Sequence, residues 1–114
     1  MARLSTRMLT RVGVAAVAVA APMALAAPAQ AASGEDWNSV AECESGQRWH
    51  LDTGNGYYGG LQFSDQTWDG FGGEEYASTA DDASRTQQIA IAERVLDEQG
   101  WDAWPTCSEQ AGVA

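Results

Sequence analysis

Apolar positions recur at helical spacing near the start of the folded region. In Trp37-Asn38-Ser39-Val40-Ala41-Glu42-Cys43-Glu44-Ser45-Gly46, the residues Trp37, Val40, Ala41 and Glu44 stand at i, i+3, i+4 and i+7, which is one face of a helix. The pattern predicts a helix from about Asp36 to Glu44 or Ser45, stopped by Gly46. After Trp49 the period changes. Trp49-His50-Leu51-Asp52 and Tyr57-Tyr58-Gly59-Gly60-Leu61-Gln62-Phe63 flank Thr53-Gly54-Asn55-Gly56, and Asn-Gly between such runs predicts a β-hairpin. Gly59-Gly60 predicts a bend, or a place of close approach by a ligand or another backbone. Ser64 suits the cap of a short helix through Trp68 and Asp69, ended by Gly70.

Phe71 to Asp82 reads as a glycine-led loop with room for one helical turn. Ser84-Arg85-Thr86-Gln87 fits a capping box and opens the clearest helix of the chain. Ile89, Ala92, Val95 or Leu96, and Gln99 form its expected core face. Glu93, Arg94, Asp97 and Glu98 form its solvated side, and Gly100 its C-cap. Trp101-Asp102-Ala103-Trp104-Pro105 reads as an aromatic turn leading to Cys107, and Ser108 to Ala114 as a frayed tail. The expected fold class is α+β: helices around a short hairpin.

The first 31 residues change the domain picture. Arg3, Arg7 and Arg11 precede an apolar stretch, Val12 to Ala21, and Ala29-Gln30-Ala31 has the small-residue form of a cleavage site. Together these read as a secretory signal peptide cut after Ala31. The apolar stretch falls short of the ~20 residues of a membrane span, and Pro22 and Pro28 interrupt it. The expected organisation is a leader over 1–31, a flexible lead over 32–36, one domain over 37–107 and a flexible tail over 108–114.

Charge then narrows the partners. Three of the six basic residues leave with the leader while all 16 acidic residues stay, so the formal charge falls from −10 to −13. That excludes nucleic acid, which selects basic surfaces. No membrane contact is expected once the leader is gone. Five Trp, three Tyr and two Phe remain; flat aromatic faces can fill a small core or line a sugar-binding cleft. Cys43 and Cys107 are the two cysteines, and an exported chain favours their pairing. The bridge would close a loop of about 65 residues, worth about 4 kcal/mol in the chain-entropy account. A redox or metal role is disfavoured, because there is no C-x-x-C and His50 is the lone histidine. No metal and no cofactor is expected, and a monomer is.

Glu44 is the leading candidate for chemistry. A carboxyl on the buried side of a helix is costly to ionise, so its pKa should rise, and a carboxylic acid that keeps its proton near neutral pH suits general-acid catalysis. The plainer alternative is a solvated carboxylate at a helix end, paired with Arg48. Asp52 would be the second carboxylate, although Asp before a turn is commonly a turn former. Trp49, Tyr57 and Tyr58 could stack on sugar rings, with Tyr57 and Tyr58 on opposite faces of a strand. Trp68, Trp101 and Trp104 read as core, His50 as uninvolved, and Glu74, Glu75, Asp81 and Asp82 as solvated loop charge.

Cys43-Glu44-Ser45-Gly46, Trp49, Thr53 to Phe63 and Thr67-Trp68 resemble the resuscitation-promoting factor domain of actinobacteria. Arg85 to Ala90 and Gln99-Gly100-Trp101 to Trp104-Pro105-Thr106-Cys107 extend the resemblance, which spans Trp37 to Cys107. Glu44-Ser45 followed by Gly60-Leu61-Gln62 is more distantly similar to lytic transglycosylases with a lysozyme-like fold. The resemblance implies a small lysozyme-like domain and a secreted, wall-associated enzyme. Its implied substrate is the β-1,4 bond between N-acetylmuramic acid and N-acetylglucosamine in peptidoglycan. It implies Glu44 as the catalytic glutamate, Cys43–Cys107 as the disulfide, and Gln62 and Thr67 as cleft residues. It also implies that some members act beside a peptidoglycan endopeptidase, although no residue here marks a site for one. Asp52 departs from the Asn-type residue usual in the family, which puts a two-carboxylate mechanism in doubt. Two other classes stand beside the enzyme: a non-catalytic peptidoglycan-binding signalling module, and a small secreted structural or inhibitory protein.

Overall fold

The structure is a computed structural model and describes residues 32–114; the expected leader lies outside them. Ser33 starts the first helix. Its hydroxyl accepts from Asp36 N and its own N–H donates to Asp36 Oδ2, both at 3.0 Å. This reciprocal cap satisfies two of the donors that a helix start leaves free, so α1 (Gly34–Ser45) begins two residues before the expected Asp36. Gly46 ends the helix as expected; it adopts the left-handed φ of 68° and its N–H reaches Glu42 O at 3.0 Å.

The hairpin is displaced from its expected place. Strands β1 (Tyr57–Tyr58) and β2 (Phe63–Ser64) pair antiparallel, with Tyr57 opposite Ser64 and Tyr58 opposite Phe63. The reversal between them is therefore Gly59 to Gln62, not Thr53 to Gly56. The earlier loop does fold back, but it yields a single bridge between Asp52 and Tyr58. The reason is local. Asp52 Oδ1 accepts from Gly54 N and Asn55 Oδ1 from Tyr57 N, both at 3.0 Å. Side chains thus take the N–H groups that a longer ladder would have used.

Ser64 caps α2 (Asp65–Gly70) through Thr67 N at 3.1 Å. Short 3-10 turns follow at Gly73–Glu75 and Ala80–Asp82. The Ser84–Gln87 capping box is present, and it opens α3 (Arg85–Gln99). The buried face of α3 is Gln88, Ile91, Ala92, Val95 and Leu96, so the expected face led by Ile89 and Gln99 is rotated by about one position. Ile89 is half-buried and Gln99 exposed. Glu93 is also not solvated as expected, since it accepts from the Trp37 indole at 2.7 Å. Another 3-10 turn, Gly100–Ala103, leads to α4 (Pro105–Gln110), where Pro105 takes the first-turn position that lacks a required N–H. The expected frayed tail therefore begins inside a helix: Ser108 is buried, and its carbonyl accepts from Val113 N at 3.1 Å.

The core joins α1, the hairpin turn, α2, α3 and α4. Trp37, Val40, Ala41, Leu61, Phe63, Trp68, Ile91, Val95 and Trp104 are all buried. Trp37 meets Trp104 edge-on at 5.1 Å between ring centroids, and Phe63 meets Trp68 at 5.2 Å, both favoured aromatic geometries. Trp101 lies half-buried against Trp37. The Cys43–Cys107 disulfide links α1 to α4, with Cα atoms 5.5 Å apart. Among the described residues no helix is long and apolar enough to cross a membrane.

Candidate active site

Glu44 sits in the last turn of α1, half-buried at the margin of the packed face rather than at its centre. The residue that completes the buried stripe after Trp37, Val40 and Ala41 is Ser45, 3% exposed. Partial burial raises the Glu44 carboxyl above its ordinary value, in the direction expected for a charge moved out of water. The alternative pairing with Arg48 is not formed. Arg48 turns its Nε to Ser45 O at 2.7 Å, and the ion pair among the described residues is Arg94 with Glu75 at 2.9 Å.

Ser45 anchors this helix end. Its hydroxyl donates to Gly60 O at 2.9 Å and accepts from Arg48 N at 3.1 Å. The other polar group of Gly60, its N–H, donates to Gln88 Oε1 at 3.0 Å. Gln88 is fully buried on α3, and its Nε2 donates to Trp49 O at 2.7 Å and Ala83 O at 3.0 Å. One glutamine thus ties the hairpin turn to the turn at Trp49 and to the loop ahead of α3, with no polar atom left unpaired. The two glycines make this possible. A Cβ on Gly59 would lie 2.4 Å from Gln88 Oε1, and one on Gly60 would lie 2.4 Å from Trp49 Cε3. The close approach read from Gly59-Gly60 is real, but side chains of this same protein make it.

The expected cleft residues divide into two groups. Tyr57, Gln62 and Thr67 line one hollow of about 130 Å³, with Phe63, Val95 and Trp104 in its wall. Gln62 is a turn residue, not a strand residue. It holds φ 58°, a left-handed conformation costly for a side chain with a Cβ, and its Nε2 donates to Gly59 O at 3.0 Å. Thr67 Oγ1 accepts from Ser64 Oγ at 3.1 Å, which leaves its own proton to donate. Tyr57 is 50% exposed, an open aromatic face beside the hollow.

Trp49, Tyr58 and Asp52 form the second group, and they do not line that hollow. Trp49 is half-buried against Gly60, with the Arg85 guanidinium 5.4 Å from its ring centroid. Tyr58 packs against the core. The negative charge of Asp65, then burial, then Asp52 and Asp81, hold the Tyr58 hydroxyl above its ordinary pKa, so it stays a proton donor. Asp52 is exposed and bound into its own turn. His50 Nδ1 lies 2.7 Å from Asp81 O. Asp81 is not simply solvated: its Oδ1 is buried with no hydrogen-bond partner among the described residues.

Glu44 does not line the 130 Å³ hollow either. The link between acid and hollow runs through the chain: Glu44 is followed by Ser45, Ser45 holds Gly60, and the Gly59–Gln62 turn carries Gln62. Sequence reasoning missed Ser45 and Gln88. Their signal was the periodicity itself, since each is the polar residue that completes an apolar stripe.

This architecture has known relatives. Residues 31–107 match the transglycosylase-like domain. A resuscitation-promoting factor of Corynebacterium glutamicum is 50% identical over 105 residues, covering 91% of this chain and 54% of that protein. One of Mycobacterium tuberculosis is 51% identical over 106 residues, covering 92% of this chain and 74% of the relative. The chain belongs to the resuscitation-promoting factor family. In the factor of Micrococcus luteus the match is 47% over 97 residues, covering 85% of this chain and 42% of that protein. The chain therefore spans about half the length of some of these resuscitation-promoting factors and most of another. The match from 31 to 107 takes in both cysteines, Glu44 and every residue of the hollow.

Proposed function

We propose that this chain is a secreted muralytic enzyme that cleaves the β-1,4 bond between N-acetylmuramic acid and N-acetylglucosamine in peptidoglycan. Wall remodelling of this kind would promote growth or resuscitation from dormancy. The leader is cut after Ala31, and the domain works outside the cell, at or near the wall. The observation that carries the reading is Glu44: a half-buried carboxyl with no ion-pair partner among the described residues, raised toward the protonated form.

Glu44 donates its proton to the glycosidic oxygen, and the departing N-acetylglucosamine leaves as an alcohol. The muramic acid ring passes through an oxocarbenium-like state. Its own 6-hydroxyl then attacks C1 and returns a proton to the Glu44 carboxylate, giving a 1,6-anhydro product. Asp52 is exposed and engaged in its own turn, so Glu44 serves as both acid and base, whether the 6-hydroxyl or water captures C1. A hollow of 130 Å³ is smaller than a whole-ligand pocket of ~300 Å³ or more. It suits an acetamido group, met by Gln62, Thr67 and Tyr57. Cys43 beside the acid fixes its backbone against α4, a form of preorganisation.

The test is Glu44→Gln on purified wall, with folding checked by circular dichroism and products read by mass spectrometry of muropeptides. The wild type should release anhydro-muropeptides, and the folded variant should lose activity by ~100-fold or more. New reducing ends in their place would mean hydrolysis. Wall binding with neither product would make the domain a glycan-binding module.

A further inference from the structure

Two hydrogen bonds at the start of the described chain converge on one carboxylate. Glu93 Oε2, on α3, accepts from Trp37 Nε1 at 2.7 Å and from the backbone N of Ala32 at 3.2 Å. Ala32 follows Ala29-Gln30-Ala31, the small-residue cleavage signal. The atom that Glu93 holds is therefore the nitrogen that a leader peptidase would free.

We propose that Glu93 is the receptor for the α-ammonium of the mature chain, so that cleavage between Ala31 and Ala32 turns an amide hydrogen bond into an ion pair that fastens the new N-terminus to α3. The proposal rests on the secretory reading of the first 31 residues and is independent of the catalytic role of Glu44.

The chemistry balances with water as the co-reactant. Hydrolysis breaks the C–N bond, leaves a carboxylate on Ala31 and an amine on Ala32, and the amine takes up a proton from solvent. Before the cut, Ala32 N is a neutral amide with one hydrogen to donate. After it, the same atom carries a full charge and three hydrogens, and charge-assisted hydrogen bonds are about twice as strong as neutral ones.

The receptor is built before the ligand exists. Trp37 is fully buried, and its indole N–H needs a partner there. That bond fixes the Glu93 carboxylate. The segment leading to it is fixed as well, because Ser33 N is held by Asp36 Oδ2 at 3.0 Å. A free ammonium ahead of a helix start would otherwise meet the positive end of the α1 dipole, so a carboxylate is needed. The charged groups nearby favour the same outcome. Glu35 and Asp36 stand in the first turn of α1. From α3, Glu93 faces Ala32, while Arg85 spends its guanidinium on Asn38 Oδ1 and on Gly34 O at 3.2 Å.

The test starts from the full chain, processed and secreted. Intact mass should place the mature N-terminus at Ala32. Its α-amine, followed by pH-dependent amine labelling or by NMR, should titrate above the ordinary ~7.7–8.0 range. Glu93→Gln keeps an oxygen for Trp37 and Ala32 but no charge, and should return the amine to that range. A chain retaining one residue before Ala32 moves the ammonium ~3.6 Å away; it should titrate in the ordinary range too, and it serves if the Gln variant does not fold. A mature start at another residue overturns the proposal, as does the same titration in the wild type and in either altered chain. Neither result bears on wall cleavage, so failure here is separable from failure of the enzymatic reading.

Discussion

At the scale of single residues, Glu44 is set apart by what it lacks. Arg48 is three residues beyond the end of its helix, yet turns back to Ser45 O at 2.7 Å. The carboxyl is left half-buried and raised above its ordinary 4.5 by loss of solvent. A carboxyl that binds its proton more tightly when folded makes stability fall as pH rises from its unfolded value through its folded one, and level off above. Glu44→Gln removes that titration. Denaturant unfolding measured from about pH 4 to about pH 8 should therefore show the variant gaining on the wild type across the window. Parallel pH curves would contradict the burial. The same proton sets activity, because a general acid is lost as pH rises through the raised pKa. The side chain is only partly buried, so the stability difference will be smaller than a fully buried acid would give.

At the scale of elements, the Gly60 peptide is the joint. Ser45 of α1 holds its carbonyl and Gln88 of α3 its N–H. Gly60→Ala would push a methyl into the Trp49 ring, where 2.4 Å separates the added carbon from Cε3. Overpacking of this kind costs about 1–3 kcal/mol, and because the turn carries Gln62, wall cleavage should fall further than stability alone explains. Urea midpoints together with rates at a temperature where the variant is folded would check both. Wild-type stability in the variant would mean that Trp49 can move aside.

The elements also show what could be read from sequence. Ser84-Arg85-Thr86-Gln87, Ser64 and Gly46 were legible because capping is local chemistry between residues three or four apart. The hairpin was misplaced because Asn55-Gly56 is also a turn that side chains can close by themselves. The α3 face was rotated because Gln88 counts as polar in any pattern, while three backbone groups, two of them from distant segments, make it a core residue. Gln62 and Thr67, grouped by the resemblance, and Tyr57, singled out for its ring, line one hollow. Trp49 stands out for sugar stacking by its ring, while its contacts with Gly60 and the Arg85 guanidinium depend on tertiary packing that no local pattern encodes.

At the scale of the whole molecule, one bond joins the first helix to the last. Cys43 and Cys107 are 64 residues apart, so the cross-link removes about 4 kcal/mol worth of freedom from the unfolded chain. Replacing both cysteines with alanine should lower unfolding free energy by ~2–5 kcal/mol in denaturant titrations, and should lower cleavage even where the fold persists, since Cys43 adjoins Glu44. A stable double variant of full activity would remove the tether from the mechanism. The bond has another consequence, one of survival. Glu44, Gln62, Thr67 and Gln88 all lie inside the ring that it closes. The exposed Thr53 to Gly56 loop is the kind of tip that proteases cut first. A chain nicked there is two polypeptides by sequence but one molecule by covalent structure, and its halves part only when the disulfide is reduced.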